Sequence, residues 1–297
     1  MNGKILFIIN PTSRFMEKSE TELKIARFSE TYKFKFEIYY TEKLNCPSRI
    51  REEIVARKPD IAVAMGGDGT INHVASALIN SETELGIIPA GSANGLAHNL
   101  GLPSDFDDAM HLIMKEDAKP LDAIFINERY YSYHLSDIGI NARIVKRFEQ
   151  EGSKGLTGYG KQMIKELFSK RDTFRFKIST STINRRFKAE LLAFANARSF
   201  GTGAVINPHG RMDDGEFEIV IIRPYSWWAL FYLIRMFLFG RLEKHRYVKV
   251  IKTTEARIKF DRHQDLQIDG EIVKGIDTLN LKIIPAAVKI RYNSTQN

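Results

Sequence analysis

Cysteine is nearly absent from this 297-residue chain. Cys46 stands alone, so no disulfide can form within the chain, and a reducing compartment is the natural setting. No cysteine and histidine spacing suggests zinc, and His73 and His134 read as packing or surface residues. Long apolar runs are also missing. The longest, 227–239, is interrupted by Arg235 and falls short of the roughly 20 residues that span a bilayer. Met1-Asn2-Gly3-Lys4 leads straight into the apolar run 5–9, which is too short for a signal-peptide core and has no small-residue cleavage site. These absences predict a cytoplasmic protein whose only membrane contact would be peripheral, at the inner face. There is no internal repeat, no low-complexity segment and no basic-aromatic recognition motif, so no nucleic-acid partner is expected.

Acidic side chains are outnumbered, 36 against 44 Lys and Arg, for a net charge of +8. That balance fits either a solvated basic surface or attraction to an anionic partner such as a nucleotide or an acidic lipid surface. The length suits two domains. In the first half, strand-like runs at 5–9, 34–40, 61–65 and 85–88 alternate with helical patterns at 20–28, 48–58, 71–78 and 94–100. This alternation predicts a parallel sheet covered by helices. After a boundary near Ile126 the pattern changes to short apolar runs at 130–135, 174–178, 191–195, 217–222, 257–260 and 279–284. Turn residues separate them, as in an antiparallel sandwich, with helices expected at 160–169 and 227–239.

The densest signal is Gly66-Gly67-Asp68-Gly69-Thr70, between a buried-strand run and a helical pattern. Glycines let backbone N–H groups come close to a ligand, and the start of a helix offers unpaired donors. Such a turn suits a phosphate. A carboxylate there makes chemical sense if Mg²⁺ mediates, or if a hydroxyl must lose a proton to a phosphoryl group. Thr70 reads as the helix N-cap. Two further turns follow strands in the same manner: Asn10-Pro11-Thr12-Ser13, and Gly91-Ser92-Ala93-Asn94-Gly95-Leu96-Ala97. All three should converge on the carboxyl edge of one sheet, where α/β folds bind ligands.

These three strings, in this order, resemble the diacylglycerol kinase catalytic-domain family, which includes bacterial lipid kinases and the sphingosine kinases. Downstream, Asn207-Pro208, then Met212-Asp213-Asp214-Gly215-Glu216-Phe217, then Asp269-Gly270-Glu271 extend the likeness over nearly the whole chain. The resemblance implies an α/β nucleotide-binding domain of NAD kinase and phosphofructokinase type over 1–126, followed by a β-sandwich domain over 127–297 whose last strand could return to the first. It implies an ATP- and Mg²⁺-dependent kinase acting on a lipid hydroxyl at a membrane surface, with diacylglycerol as the leading acceptor. Asn10, Pro11, Thr12, Ser13 and Thr41 would lie at the ATP. Gly66, Gly67, Asp68, Gly69, Thr70 and Asn72 would wrap its phosphates, with Ser92 nearby. Glu271 matches the family's general base, and Asp68 competes for that role. Asp214, with the backbone carbonyls of Arg211 and Glu216, matches a structural Mg²⁺ site.

Departures from the family pattern occur at Arg14, where glycine is usual, at Asn94-Gly95 in place of Asn-Asp, and at His98, where arginine is frequent. The 91–97 string leans towards the sphingosine kinases, so a sphingoid base is the alternative acceptor. A kinase for a polar acceptor would share the Asp68 turn without explaining the later motifs. A non-catalytic nucleotide- or membrane-binding protein would keep the fold and lose the transfer. The 227–239 helix reads either as core or, with Arg241, Lys244, His245 and Arg246 following, as a face that touches lipid. A homodimer is left open.

Overall fold

The computed structural model describes residues 3–13, 17–42, 47–139, 172–200, 205–226, 228–229 and 245–293. The chain forms two compact units, Met1–Leu121 with Ala286–Asn297, and Asp122–Pro285. The expected helix at 160–169, nearly all of that at 227–239, and Arg14, Cys46, Arg241 and Lys244 lie outside the described residues.

In the first unit β1 (Lys4–Ile9), α1 (Lys18–Tyr32), β2 (Lys35–Tyr40), α2 (Pro47–Arg57), β3 (Ile61–Gly66), α3 (Asp68–Ala77), β4 (Glu84–Pro89), α4 (Gly95–Asn99) and α5 (Phe106–Lys115) follow one another. β1 pairs in parallel with β2 on one side and β3 on the other, and β3 pairs in parallel with β4. Every residue from Ile5 to Ile9 and from Ile61 to Gly66 is buried. That is why these strands read as unbroken apolar runs rather than as alternation: helices cover both faces. Phe7, Ile25, Val63, Met65, Phe106 and Met110 share one core cluster, each contributing about 1.5–3 kcal/mol by burial. α5 is an element the apolar pattern alone did not reveal. Asp105 starts it by accepting from the N–H groups of Asp107 and Asp108, at 2.8 and 3.1 Å. Its buried face is Phe106, Ala109, Met110 and Ile113, the spacing of one helical stripe.

β5 (Ala118–Ile126) leads into the second unit, which holds β6 (Tyr130–Ser132), β7 (Leu135–Gly139), β8 (Phe174–Ser179), β9 (Asn184–Ala189), β10 (Leu191–Ala195), β11 (Phe217–Ile222), β12 (Val248–Thr253), β13 (Glu255–Ile268) and β14 (Glu271–Arg291). The pairing is antiparallel from β12 through β11 and β10 to β7. β13 serves two neighbourhoods across a register shift between Lys259 and Leu266. Residues 257–260 pair with β8, and 266–268 with β7. Such a bulge bends a strand and lets it turn a sandwich corner. Phe176, Phe194, Phe217, Ile258 and Leu279 lie in the buried core of this unit.

The last residues of β14 fall in the first unit, where Ile290 pairs in parallel with Leu85 of β4. There the buried Arg291 donates from Nε to Glu84 at 2.5 Å and from Nη1 to the carbonyls of Ile113 and Glu116. The run 130–135, expected as one strand, is two. It breaks at Tyr133 and His134 because their amides turn to the carboxylate of Asp269, at 2.8 and 3.2 Å, instead of a neighbouring strand.

Candidate active site

Parallel pairing brings the carboxyl ends of β1, β2, β3 and β4 to one edge of the first unit. The backbone carries the ladder just past those ends. Asn10 N donates to Met65 O at 3.0 Å, Thr41 N to Ile9 O at 2.8 Å, and Ala90 N to Gly66 O at 2.7 Å. Asn10 then organises its turn. Its Oδ1 accepts from Thr12 N at 3.0 Å and Thr12 Oγ1 at 2.8 Å, its carbonyl accepts from Ser13 Oγ at 2.6 Å, and its Nδ2 donates to Thr70 Oγ1 at 3.3 Å. Pro11 is exposed beside it.

The 66–70 turn is built around missing side chains. A Cβ on Gly66 would lie 2.5 Å from Thr70 Oγ1, so glycine lets Thr70 fold over the strand end towards Asn10. α3 begins at Asp68, with the extended Gly67 as N-cap and no side-chain cap bond. Thr70 is therefore not the N-cap that the sequence suggests. Its hydroxyl is spent on Asn10, and its amide belongs to the first turn, where Gly69 and Thr70 have no carbonyl four residues back in the helix. Asp68 Oδ1 accepts from Leu96 N at 3.4 Å, linking this turn to α4. Asn72, one turn along, accepts from Ser76 Oγ at 3.3 Å.

The 91–94 loop packs against the 66–70 turn backbone to backbone. A Cβ on Gly91 would meet the Cα of Gly67 at 2.5 Å. Asn94, in the left-handed region at φ 49°, closes the loop: its Oδ1 accepts from Gly91 N at 2.8 Å and its Nδ2 donates to Gly91 O at 3.1 Å. Ser92 is left exposed at the rim. The structure thus joins Asn10, Thr12, Ser13, the 66–70 turn and the 91–94 loop in one network, with Thr41 at the adjacent strand end. Asn94, quoted in the sequence within the 91–97 string and a departure but given no role of its own, is the clasp of that network. Its residue type was the available signal, since asparagine tolerates left-handed backbone.

In the second unit Asp269 and Gly270, at φ 44° and 103°, form a two-residue hairpin between β13 and β14. Asp-Gly favours such turns because both central residues need positive φ. The Asp269 carboxylate is buried and accepts from Ser132 Oγ at 2.9 Å and from the amides of Tyr133, His134 and Leu135 at 2.8, 3.2 and 3.0 Å. It fixes the hairpin, and Glu271 follows it in an exposed position at the start of β14.

The 211–216 turn is held from below by the buried Asp122, whose N donates to Met212 O at 2.8 Å and whose Oδ2 accepts from Gly215 N at 2.7 Å. Asp214 Oδ1 accepts from Glu216 N at 3.2 Å, and its Oδ2 from Lys252 Nζ at 2.9 Å. The same ammonium lies 3.0 Å from Glu216 Oε2, and these contacts hold the Lys252 ammonium well above the ordinary lysine range. Arg211 Nε lies 3.2 Å from Asp213. Behind them the Glu218 carboxyl is pushed up by burial, partly offset by the Asn207 Nδ2 bond at 2.6 Å. Among the described residues no three His, Cys, Asp or Glu side chains gather around a metal position. An ammonium between Asp214 and Glu216 makes this donor set an ion-pair cluster. One oxygen of Asp214 is thus taken by that ammonium, and no chemical step runs through a metal there. Lys252 gave no signal in the sequence, because β12 itself was not recognised there.

Residues 4–126 match the family description "Diacylglycerol kinase catalytic domain", and residues 136–292 match "YegS C-terminal NAD kinase beta sandwich-like domain". The chain belongs to the diacylglycerol kinase catalytic-domain family and is a lipid kinase. It is 27% identical over 252 residues, 82% of each chain, to a probable lipid kinase YegS-like of Yersinia enterocolitica. It is 26% identical over 272 residues, 89% of this chain and 81% of the other, to a diacylglycerol kinase of Staphylococcus haemolyticus. A crystal structure of a diacylglycerol kinase from Bacillus anthracis superposes with a TM-score of 0.81 at 23% identity, over 99% of both chains, which establishes the shared fold.

Proposed function

We propose that the chain transfers the γ-phosphoryl group of ATP, carried as its Mg²⁺ complex, to the free hydroxyl of diacylglycerol or a related bacterial lipid. The observation that carries this reading is the interlocked set of turns at Asn10, Gly66–Thr70 and Gly91–Asn94. They offer the first-turn amides of Gly69 and Thr70 and close backbone approach without a side chain in the way. Asn10, Pro11, Thr12, Ser13 and Thr41 would border the nucleotide. Gly66, Gly67, Gly69, Thr70, Asn72 and Ser92 would face its phosphates. Asp68 is half-buried beside those amides and its charge would repel a bare anion, so the nucleotide is expected to arrive as its Mg²⁺ complex.

In the transfer, the acceptor oxygen forms a bond to Pγ as the bond from Pγ to the β,γ-bridging oxygen breaks, and ADP leaves. The acceptor proton passes to a carboxylate. Glu271, exposed and held by the Asp269 hairpin, is the first candidate, and Asp68 is the second. Backbone donors would stabilise charge on the equatorial oxygens. The acceptor lies in a bilayer, so the protein would work at a membrane surface. Among the described residues no helix is long and apolar enough to cross one. Diacylglycerol is favoured by relatives that carry the name diacylglycerol kinase.

The test is transfer of label from γ-labelled ATP to a total lipid extract, with NAD as a parallel acceptor. Labelled phosphatidic acid supports the reading. A labelled sphingoid phosphate moves the acceptor to sphingoid bases. Labelled NADP, or nucleotide binding without any labelled lipid, overturns it.

A further inference from the structure

The second unit carries a hollow of about 470 Å³ walled by Arg185, Arg186, Lys188, Arg223 and Arg246. Among the described residues no acidic side chain lines it. Some surface cations are paired, as Lys252 is with Asp214 and Arg262 with Asp172. The five around the hollow are exposed. Two of them lie over aromatic rings: Arg246 sits 4.7 Å from the centroid of Tyr247, to whose hydroxyl its Nη2 donates at 2.7 Å, and Arg185 5.9 Å from that of Phe187. Like charges so close, without counter-ions, destabilise the folded state by self-repulsion.

Protection of an exposed strand edge explains part of this. Among the described residues β9 pairs only with β8, and cations on an edge strand deter aggregation. That reason covers Arg185, Arg186 and Lys188 and stops there. Arg223 and Arg246 come from two other segments, clamped together by Arg223 N donating to Tyr247 O at 2.8 Å. Edge protection does not require them to face the same hollow. Trp228, five residues past Arg223 and so within roughly 17 Å of it along the chain, is 86% exposed. Arginine and lysine with an exposed tryptophan close by in sequence is the composition of a bilayer interface, where cations meet anionic headgroups and the indole sits at headgroup depth. A single free phosphate would meet only some of these open side chains, whereas a plane of headgroups meets all of them.

We infer that this basic hollow docks the second unit on an anionic phospholipid surface. The inference rests on the lipid-kinase reading, which places the acceptor in a bilayer. The test is co-sedimentation of the full chain with phosphatidylcholine vesicles, with and without phosphatidylglycerol. Each cation near such a surface is worth about fivefold in partition, so R185Q/R186Q/K188Q is expected to bind phosphatidylglycerol vesicles about a hundredfold more weakly. R223Q/R246Q, built on different segments, is expected to lose about 25-fold. Both should keep or slightly raise the thermal midpoint, and keep the nucleotide affinity and the turnover on a short-chain, monomeric diacylglycerol. Partition of either variant equal to that of the unaltered chain overturns the inference. So does release of the unaltered chain by inorganic phosphate well beyond chloride of equal ionic strength, which would mark a free-anion site. A chain that partitions as expected yet phosphorylates no lipid keeps the surface and sinks the function.

Discussion

Gly67 and Gly91 belong to different turns and meet face to face, so that a methyl group on Gly91 would lie 2.5 Å from the Gly67 Cα and 2.7 Å from Asn94 Oδ1. Backbone cannot retreat as a flexible side chain can. Gly91→Ala is therefore expected to cost about 1–3 kcal/mol and to weaken nucleotide binding tenfold or more by prising the turns apart. Gly67→Ala, whose Cβ would lie 3.1 Å from Gly91 Cα, should be milder. Urea unfolding with nucleotide titration checks the order, and equal effects of the two would contradict it.

The first unit was legible in the sequence because buried parallel strands announce themselves as continuous apolar runs. Residues 5–9 and 61–65 each became a strand within one residue of expectation. The second unit was read more coarsely. β9, with Asn184, Arg185, Arg186 and Lys188 exposed on an edge, carries too little apolar pattern to be noticed. The Asp68 and Gly91 turns were identifiable as strings, since glycine has few reasons to recur there. What holds them together was not. Asn10 to Thr70 and Asn94 to Gly91 are side-chain bonds whose partners only the fold selects.

The two carboxylates proposed for chemistry separate by their kinetics. Asp68→Asn keeps an oxygen that can accept from Leu96 N, and Glu271 is exposed, so neither Asp68→Asn nor Glu271→Gln should move the thermal midpoint. Loss of a general base lowers turnover by about 10²–10⁴-fold. Glu271→Gln is expected to do so with unchanged affinity for the Mg²⁺–ATP complex. Asp68→Asn is expected to lower turnover and also raise the Mg²⁺ concentration needed for half-maximal rate. Near-normal turnover of either variant on the labelled lipid removes that residue from its role.

Asp269 makes the opposite prediction. Its buried carboxylate satisfies Ser132 and the amides of Tyr133, His134 and Leu135, so Asp269→Ala would leave buried donors without an acceptor. The expected loss is about 3–5 kcal/mol, read as a lower urea midpoint. Asp269→Asn can still accept but brings donors of its own towards the same amides, and should fall between the two. A stable Asp269→Ala protein would show that the hairpin presenting Glu271 does not depend on this cage.

Lys252 decides whether the 214–216 turn needs a metal. Its ammonium bridges Asp214 Oδ2 at 2.9 Å and Glu216 Oε2 at 3.0 Å. Lysine and Glu216 are both partly exposed, so the bridge contributes only about 1 kcal/mol, on the scale of a surface ion pair. Chelation of divalent ions should leave the thermal midpoint of the nucleotide-free chain unchanged, because the counter-cation is covalently part of β12. Lys252→Met removes it and leaves Asp214 and Glu216 facing each other, with the buried Glu218 carboxyl behind them. That variant is expected to melt about 2–4 °C lower and to regain the difference when Mg²⁺ is added, since oxygen ligands of like charge then want a dication. A drop in the midpoint of the unaltered chain on chelation would show instead that a divalent ion displaces the lysine and holds the turn.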